Sequence, residues 1–310
     1  MSDLPSISTP QPVADPVSAG LPRRIGLVVH PSRTVDRPLR LVREWSQEHG
    51  VDLVQVPAAY SQRHVAEPGE PAGSDLIVSI GGDGTTLAAL RSAAIVQRPV
   101  IGIACGSLGA LATVAVPDVT RSLERFGRGE WQPRRFPALW VTREDDEPLF
   151  ALNDVAVVRD GGGQVRVSAH VDGSLYARIA GDGAIVSTPI GSSGYTISAG
   201  GPLLASGTDA FVLTALPKHG GFCPPLVVGS GAVLALEVTA GFGGARLEVD
   251  GQLADHGVRS LTLTMREGMA TMVGFPDQET LLAGLRRRRI ILDSPRVSAD
   301  RARGVDGCPE

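Results

Sequence analysis

The sequence lacks the features that mark membrane, secreted or nucleic-acid-binding proteins. No apolar run approaches the roughly 20 residues that span a bilayer. Residues 1–22 lack the basic start and apolar core of a signal peptide. The formal net charge of −4 argues against a broad basic surface for nucleic acid. The three cysteines have neither disulfide nor metal spacing. These absences predict a protein of the reducing cytoplasm that binds neither membranes nor nucleic acid.

Aromatic residues are scarce as well, at 4% of the chain, so the cores must consist of Val, Leu, Ile and Ala. A length of 310 residues is sufficient for two domains with cores of their own. The content of 43% hydrophobic residues, 38 glycines and 23 prolines is typical of a loop-rich α/β or α+β protein.

The chain is organised around a glycine-rich stretch at 75–90. A short apolar run at 76–80 predicts a buried strand, and Gly81, Gly82, Asp83 and Gly84 follow it before a helical pattern resumes. Glycines at a helix N-terminus let a phosphate approach the backbone N–H groups. Asp83 could then link to Mg²⁺ or take a proton from an acceptor hydroxyl. The alternative is an ordinary tight turn with a solvated aspartate.

The first part of the chain alternates strands with helices. Apolar runs at 24–30, 51–56 and 99–104 predict buried strands, and an amphipathic helix should end at Gly50. A further helix should start from the cap Asp118. This alternation predicts a parallel sheet covered on both faces. Residues 1–22 should form a disordered leader, and 58–73 a loop.

From about residue 134 the pattern becomes that of strands. Asp172-Gly173 between two alternating runs predicts a hairpin turn. We therefore expect an α/β domain at 23–133, a mostly antiparallel β-domain at 134–275, a helix packing back on the first domain at 276–291, and a tail at 292–310. The predicted strands of the β-domain are 138–142, 149–158, 164–171, 174–180, 210–216, 226–228, 233–238, 245–249 and 260–265.

A second dense stretch, at 181–202, reads GDGAIVSTPIGSSGYTISAGGP. Its glycines and hydroxyl side chains surround the end of a predicted strand, and they suit the ribose, phosphate or amide groups of a nucleotide. The alternative is a Gly/Ser-rich hairpin that binds no ligand.

These motifs together resemble those of the NAD kinase family. GGDGT is shared with diacylglycerol and sphingosine kinases, but lipid kinases usually continue with Leu-Asn-Glu, whereas this chain has Thr86-Leu87-Ala88. The family also carries a block similar to TPIGSSGY, an Asn-acid pair and an Asp-Gly-Gln motif. The matching positions here are Asn153-Asp154 and Asp250-Gly251-Gln252, and the Gly-x-Leu-Gly turn is present from Gly106.

The resemblance implies phosphorylation of the adenosine ribose 2′-hydroxyl of NAD, with ATP as donor and Mg²⁺ as cofactor, by a homodimer or homotetramer. Asp83 would be the general base and a possible Mg²⁺ ligand. Donor phosphates would bind Gly81, Gly82, Gly84 and Thr85. The implied acceptor-binding residues are Asn153, Asp154, Asp182, Thr188, Ser193, Gly194, Tyr195, Ser198 and Gln252.

Several positions depart from the family pattern. Ile190 replaces a Thr or Ser, and we expect it to delete a hydroxyl from the middle of the site. Ala104 replaces an Asn, Ala110 a Phe, Lys218 a Pro, and Pro224 an Arg. These departures leave two alternatives open: a paralogous kinase acting on another nucleotide, sugar or metabolite hydroxyl, and a dinucleotide-binding sensor without catalytic activity.

Overall fold

The structure, a computed structural model, describes residues 20–57, 63–144 and 146–302, without the side chains of 300–302. The predicted leader therefore lies outside the described residues up to residue 19. The predicted loop lies outside them at 58–62, and the predicted tail at 303–310.

The first part of the chain alternates strands and helices as predicted. Helix α1 ends where Gly50 takes up a left-handed conformation with φ of +66°, which favours glycine. The elements are β1 (Arg24–Val29), α1 (Asp36–His49), β2 (Asp52–Gln55), β3 (Leu76–Gly81), α2 (Asp83–Ile95), β4 (Pro99–Ala104), β5 (Val114–Ala115) and α3 (Val119–Gly127).

The strands β4, β3, β1 and β2 lie side by side and parallel, in that order. On one face, Trp45 of α1 and Phe126 of α3 join an apolar cluster with the strands. On the other face, Leu87 and Leu90 of α2 join a second cluster. The predicted parallel sheet covered on both faces is thus confirmed, and the carboxyl ends of β1 and β3 lie together at one edge.

The second part of the chain is dominated by antiparallel strands. Asp172 and Gly173 have φ of +48° and +78°, and they form the predicted hairpin between β9 and β10. The elements are β6 (Gln132–Thr142), β7 (Leu149–Ala151), β8 (Asp154–Arg159), β9 (Val165–Val171), β10 (Ser174–Gly181), β11 (Gly183–Ser187), α4 (Tyr195–Ser198), β12 (Ala210–Ala215), β13 (Leu226–Gly229), β14 (Leu234–Ala240), β15 (Ala245–Val249), β16 (Gln252–His256), β17 (Ser260–Gly274), α5 (Leu281–Arg287) and α6 (Pro295–Ala302).

One long strand, β17, joins the two parts of the molecule. Its end pairs in parallel with β4, and its length pairs antiparallel with β6 and β14. The parallel strands therefore continue through β17 into an 11-stranded sheet in the order β10-β9-β14-β17-β4-β3-β1-β2, with β5, β6 and β7 off this path. A six-stranded sheet, β13-β12-β11-β8-β15-β16, packs on its antiparallel half. The exact domain limits remain a prediction.

Some elements differ from their predicted extent. The run predicted as one strand at 149–158 is two strands, broken at Leu152 and Asn153. Strands β6 and β17 are longer than predicted, β16 was not predicted, and the predicted tail contains the helix α6. Helix α5 packs back on the first part of the chain, where Arg287 donates a hydrogen bond to the Leu108 carbonyl at 2.9 Å. Among the described helices, none combines the length and apolar character of a transmembrane span.

Candidate functional site

The glycine loop joins β3 to α2 at the carboxyl edge of the parallel strands. Gly82 precedes the helix and Asp83 begins it. A Cβ on Gly81 would lie 2.3 Å from the Thr85 hydroxyl, so packing requires glycine there. A Cβ on Gly82 would meet nothing nearer than 3.5 Å, and one on Gly84 nothing within 4 Å. The protein's own packing does not require glycine at 82 or 84, so the backbone there is open to a ligand.

The Asp83 carboxylate is bound to the turn that follows β4. Its Oδ1 accepts the N–H groups of Leu111 and Ala112, and its Oδ2 accepts that of Ala110, each at 2.9 Å. The Arg288 guanidinium lies 3.5 Å from Oδ2. A carboxylate offers about four acceptor positions, and the fourth, on Oδ2, accepts this long hydrogen bond from Arg288. Asp83 therefore positions a turn as well as facing the loop.

The space in front of the loop, which we call the glycine-loop cavity, has a volume of about 530 Å³. His30, Arg33, Arg91 and Gln252 line it together with Gly82, Asp83, Gly84 and Thr85. Burial lowers the pKa of His30, and the charges of Arg33 and Arg63 lower it further. Its Nδ1 accepts two backbone N–H groups, so the imidazole is neutral at neutral pH. The cavity therefore combines an open helix N-terminus with two guanidinium groups, which suits an anion.

Asp250 connects this cavity to the Asn-Asp turn between β7 and β8. Its side chain is 1% exposed and accepts a charged hydrogen bond from Arg91 of α2 at 2.6 Å. It also accepts the N–H groups of Leu152, Asn153 and Asp154 at 3.1, 2.6 and 3.2 Å. One buried carboxylate thus holds both the helix of the glycine loop and the turn that presents Asn153.

Asp154 has an unusual titration. Burial and, to a smaller extent, the nearby Asp250 and Glu248 carboxylates raise its pKa to about 7. Burial and then the charge of Glu248 also raise the pKa of Tyr195, which Asp154 and Asp182 influence too. Asp154 thus lies between Asp250 and the residues around Tyr195. Its carboxyl group can carry a proton near neutral pH.

Thr188 and Gly191 build the turn after β11. Thr188 is fully buried, and its hydroxyl donates to the Leu152 carbonyl at 2.7 Å and accepts the Gly191 N–H at 3.2 Å. A Cβ on Gly191 would lie 1.9 Å from the Asn153 carbonyl oxygen. Thr188 was predicted to bind the acceptor directly, but its hydroxyl is used inside the protein, where it fixes this turn against the Asn-Asp turn.

A second space, which we call the tyrosine cleft, has a volume of about 660 Å³. Asp182, Tyr195, Ser198 and Lys218 line it, and Tyr195 is 40% exposed. The Asp182 carboxylate is already paired with the Arg159 Nε at 2.6 Å. The cleft therefore offers a phenol, a hydroxyl and charges of both signs to a polar ligand.

The structure separates the predicted site residues into groups. Gln252 and the loop residues from Gly82 to Thr85 line the glycine-loop cavity, whereas Gly81, predicted to bind phosphate, is buried at the end of β3 and does not line it. Asp182, Tyr195 and Ser198 line the tyrosine cleft. Asn153 and Asp154 lie on the turn held by Asp250. Ser193 and Gly194 follow the Thr188 turn, where the Ser193 hydroxyl donates to the Ile190 carbonyl at 2.9 Å.

Three residues of the site were not predicted from the sequence, namely His30, Arg33 and Arg91, and Asp250 was noted only as part of a motif. A signal existed for two of them, because His30 and Arg33 follow β1, and ligands of parallel sheets bind at the carboxyl ends of the strands. Asp250 lies in the Asp-Gly-Gln motif, but its pairing with Arg91 had no local signal, since the two residues are 159 positions apart.

Ile190 does not lie where the sequence predicted it. Its side chain packs against the apolar cluster that contains Leu87 and Leu90 of α2, as that of Phe136 does. It lines neither of the two spaces above but a third cavity of about 650 Å³, with Pro189 and Met265. Ile190 therefore does not remove a hydroxyl from the glycine-loop cavity or from the tyrosine cleft, contrary to the prediction. Ala104 is buried in β4, and Ala110 donates its backbone N–H to the Asp83 carboxylate.

The carboxylates of the glycine-loop cavity do not fit a metal site built by the protein alone. Asp250 is occupied by four donors and Asp83 by three N–H groups. Within the part of the chain that the structure describes, no group of three or more His, Cys, Asp or Glu could hold a metal ion.

Comparisons with known proteins agree with this arrangement. Residues 36–131 match the model of the ATP-NAD kinase N-terminal domain, and residues 152–259 match that of the C-terminal domain. The NAD kinase of Chlorobium phaeovibrioides is 33% identical over 241 residues, which cover 74% of this chain and 84% of the relative. That of Heliobacterium modesticaldum is 38% identical over 183 residues, 57% of this chain and 65% of the relative.

Two solved structures have a similar fold. An NAD kinase from Archaeoglobus fulgidus in complex with ATP is 26% identical, with a TM-score of 0.64 over 86% of this chain and 96% of that one. Yeast NADH kinase complexed with NADH has a TM-score of 0.71 over 88% of this chain and 89% of that one. Its identity of 17% supports the fold alone.

Proposed function

Because this chain belongs to the NAD kinase family, we propose that it transfers the γ-phosphoryl group of ATP to the adenosine ribose 2′-hydroxyl of NAD, giving NADP. The observation that carries this proposal is the glycine loop: Gly82 and Gly84 leave the backbone open where packing does not require it, directly beside the Asp83 carboxylate.

The donor phosphates bind at the loop in this proposal. The first N–H groups of α2 have no partner inside the helix and point toward the cavity, and its dipole favours an anion. Thr85 lines the same cavity, and Arg33 adds a cation whose guanidinium is held by the Cys105 carbonyl at 3.1 Å. Phosphoryl transfer requires mainly positioning and charge neutralisation, which these groups supply.

Asp83 is the general base of the proposed reaction. The 2′-hydroxyl passes its proton to Oδ2, where it replaces the long contact of the Arg288 guanidinium at 3.5 Å, while its oxygen forms a bond to the γ-phosphorus. The bond from that phosphorus to the β–γ bridging oxygen breaks, and ADP leaves. The three N–H groups on the carboxylate fix its orientation, so that the base is placed before substrate binds.

The acceptor lies across the Asn-Asp turn. Asn153, Asp154 and Gln252 bind one nucleoside, and Tyr195, Ser198 and Asp182 bind the other in the tyrosine cleft. Ser193 and Gly194 form the rim between these groups. Thr188 acts as a positioning residue, because its hydroxyl orients the turn beside Asn153. A ligand with two nucleoside ends suits a site divided into two spaces.

The remaining properties are part of the same proposal. Mg²⁺ would be held by the phosphates of ATP and not by the protein, since Asp83 and Asp250 are committed to other donors. It would supply charge neutralisation on those phosphates when bound. We further propose a cytoplasmic homodimer or homotetramer. Cys105 and Cys223 are free thiols, in keeping with a reducing compartment.

The test is incubation of the purified protein with ATP, Mg²⁺ and either NAD, NADH or a panel of nucleosides and sugars, with products identified by mass spectrometry. We expect one phosphate to be added to NAD at the 2′ position. Asp83→Asn should lower kcat by at least a factor of about 100, a typical effect of removing a general base. Calorimetry should show NAD binding within a few-fold of wild type.

The matched control is Asp255→Asn, which removes a carboxylate paired with Arg143 in the same protein but outside both spaces. Its kcat should equal that of wild type. Phosphate appearing only on another compound would replace NAD with a different acceptor. Tight NAD binding without any product would overturn the kinase proposal in favour of a sensor.

A further inference from the structure

Lys218 is the only lysine among the 29 lysine and arginine residues of the chain. It lies just after β12, on the wall of the tyrosine cleft. The backbone around it is held in place: the Asp182 N–H donates to the Pro217 carbonyl at 2.8 Å, and the His219 N–H donates to the Ala180 carbonyl at 2.9 Å. The Lys218 backbone therefore has a defined position beside Asp182.

The other cations of the cleft are already neutralised. Arg159 pairs with Asp182 at 2.6 Å, and Arg246 pairs with Glu248 at 2.7 Å. Among the ion pairs of the described residues, none includes Lys218. Its ammonium group thus adds an uncompensated positive charge to a cleft whose remaining charges are paired.

An ammonium group on a flexible stem is a strong point donor for phosphate and does not need the planar geometry that arginine requires. The cleft is also separate from the donor region. It shares no lining residue with the glycine-loop cavity, which has its own guanidinium groups in Arg33 and Arg91. The anion that Lys218 meets should therefore belong to the acceptor and not to ATP.

We propose that Lys218 binds a phosphate of the dinucleotide acceptor in the tyrosine cleft. It thereby selects acceptors that carry a pyrophosphate over nucleosides without one. The inference rests on the proposed function, because it assumes that the acceptor occupies this cleft. It assigns Lys218 to acceptor binding and gives it no part in the chemical step.

The single lysine permits a direct test. Reductive methylation with ¹³C-formaldehyde keeps the positive charge and adds one side-chain signal to the NMR spectrum, besides that of the α-amino group. Lys218→Arg identifies the signal by removing it. We expect the signal to shift in a saturable manner with NAD and with ADP-ribose, but not with adenosine, nicotinamide riboside or a non-hydrolysable ATP analogue alone.

Kinetics supply the second readout. Lys218→Met should raise KM for NAD on the order of tenfold, as for the loss of one charge-assisted contact, with kcat and KM for ATP within twofold of wild type. Lys218→Arg should retain part of the affinity. The matched control is Arg178→Met, which removes an exposed cation on β10 that lines neither space; its KM for NAD should not change.

A shift of the lysine signal with the ATP analogue but not with NAD would overturn the inference, and so would an unchanged signal with every ligand. The spectrum does not require turnover. A wild-type protein that fails to make NADP would refute the proposed function, while its lysine signal would still show whether a dinucleotide phosphate reaches Lys218.

Discussion

Burial decides the behaviour of Asp154 at the scale of single residues. In the unfolded chain its carboxyl has an ordinary pKa near 3.8, whereas in the folded protein burial and the neighbouring carboxylates raise it to about 7. The folded state therefore holds an extra proton between pH 4 and 7. The free energy of unfolding falls as the pH rises through this window and changes no further from this group above it.

Asp154→Asn should remove this contribution, because the amide stays neutral at every pH. One extra bound proton in the folded state changes the free energy of unfolding by up to about 1.4 kcal/mol per pH unit. Urea unfolding at pH 5 and pH 8 measures the change in stability for both proteins. We expect the loss of stability between these two pH values to be smaller in Asp154→Asn than in wild type. An identical loss would show that Asp154 ionises normally.

Helix α2 contains, near its start, a glycine that lowers the stability of the helix. Gly84 is a helical residue with no neighbour in the place a Cβ would take. Gly84→Ala should therefore stabilise the protein by about 0.5–1 kcal/mol, the difference in helix propensity. If phosphate approaches the backbone at Gly84, the methyl group that the alanine adds should also raise KM for ATP at least tenfold.

Thermal unfolding and initial-rate kinetics on this one variant measure the two effects separately. KM for NAD serves as the internal control, because the added methyl group faces the donor in our proposal. A more stable protein with an unchanged KM for ATP would mean that no phosphate contacts Gly84.

Asp250 and the strand β17 tie the two parts together at the scale of the whole molecule. Asp250 lies at the turn between β15 and β16, yet it pairs with Arg91 of α2. β17 places parallel and antiparallel strands in one sheet. The glycine loop and the Asn-Asp turn are therefore held in fixed relation by a buried charge pair, and loss of one partner of such a pair is costly.

Asp250→Asn should lower the free energy of unfolding by about 3 kcal/mol or more, because an amide N–H group then faces a donor. The double variant with Arg91→Met should lose less than the sum of the two single losses, which reports the coupling. Urea unfolding followed by tryptophan fluorescence measures all three. The surface variant Asp255→Asn should cost less than about 1 kcal/mol, and additive losses at 91 and 250 would contradict a direct contact.

Much of this protein follows from local sequence. The glycine loop, the alternation of strands and helices, and the Asp172-Gly173 hairpin each depend on residues close together in the chain, whose backbone preferences and apolar periodicity act locally. Asp250-Gly251 is the same Asp-Gly turn sequence, and its residues do form a turn, with φ of +51° and +73°. The strand after it was missed because β16 is a partly exposed edge strand with little apolar pattern.

Only the tertiary structure decided which polar groups meet. Asp83 reaches N–H groups 27 to 29 residues away, and Asp250 reaches Arg91 across 159. Ile190 packs on the apolar cluster that contains Leu87 and Leu90 of α2. No periodicity encodes such pairs, because a carboxylate binds whichever donors the packed chain places around it. The motifs alone therefore indicated the chemistry, while the packing of distant elements determined how each side chain can take part in it.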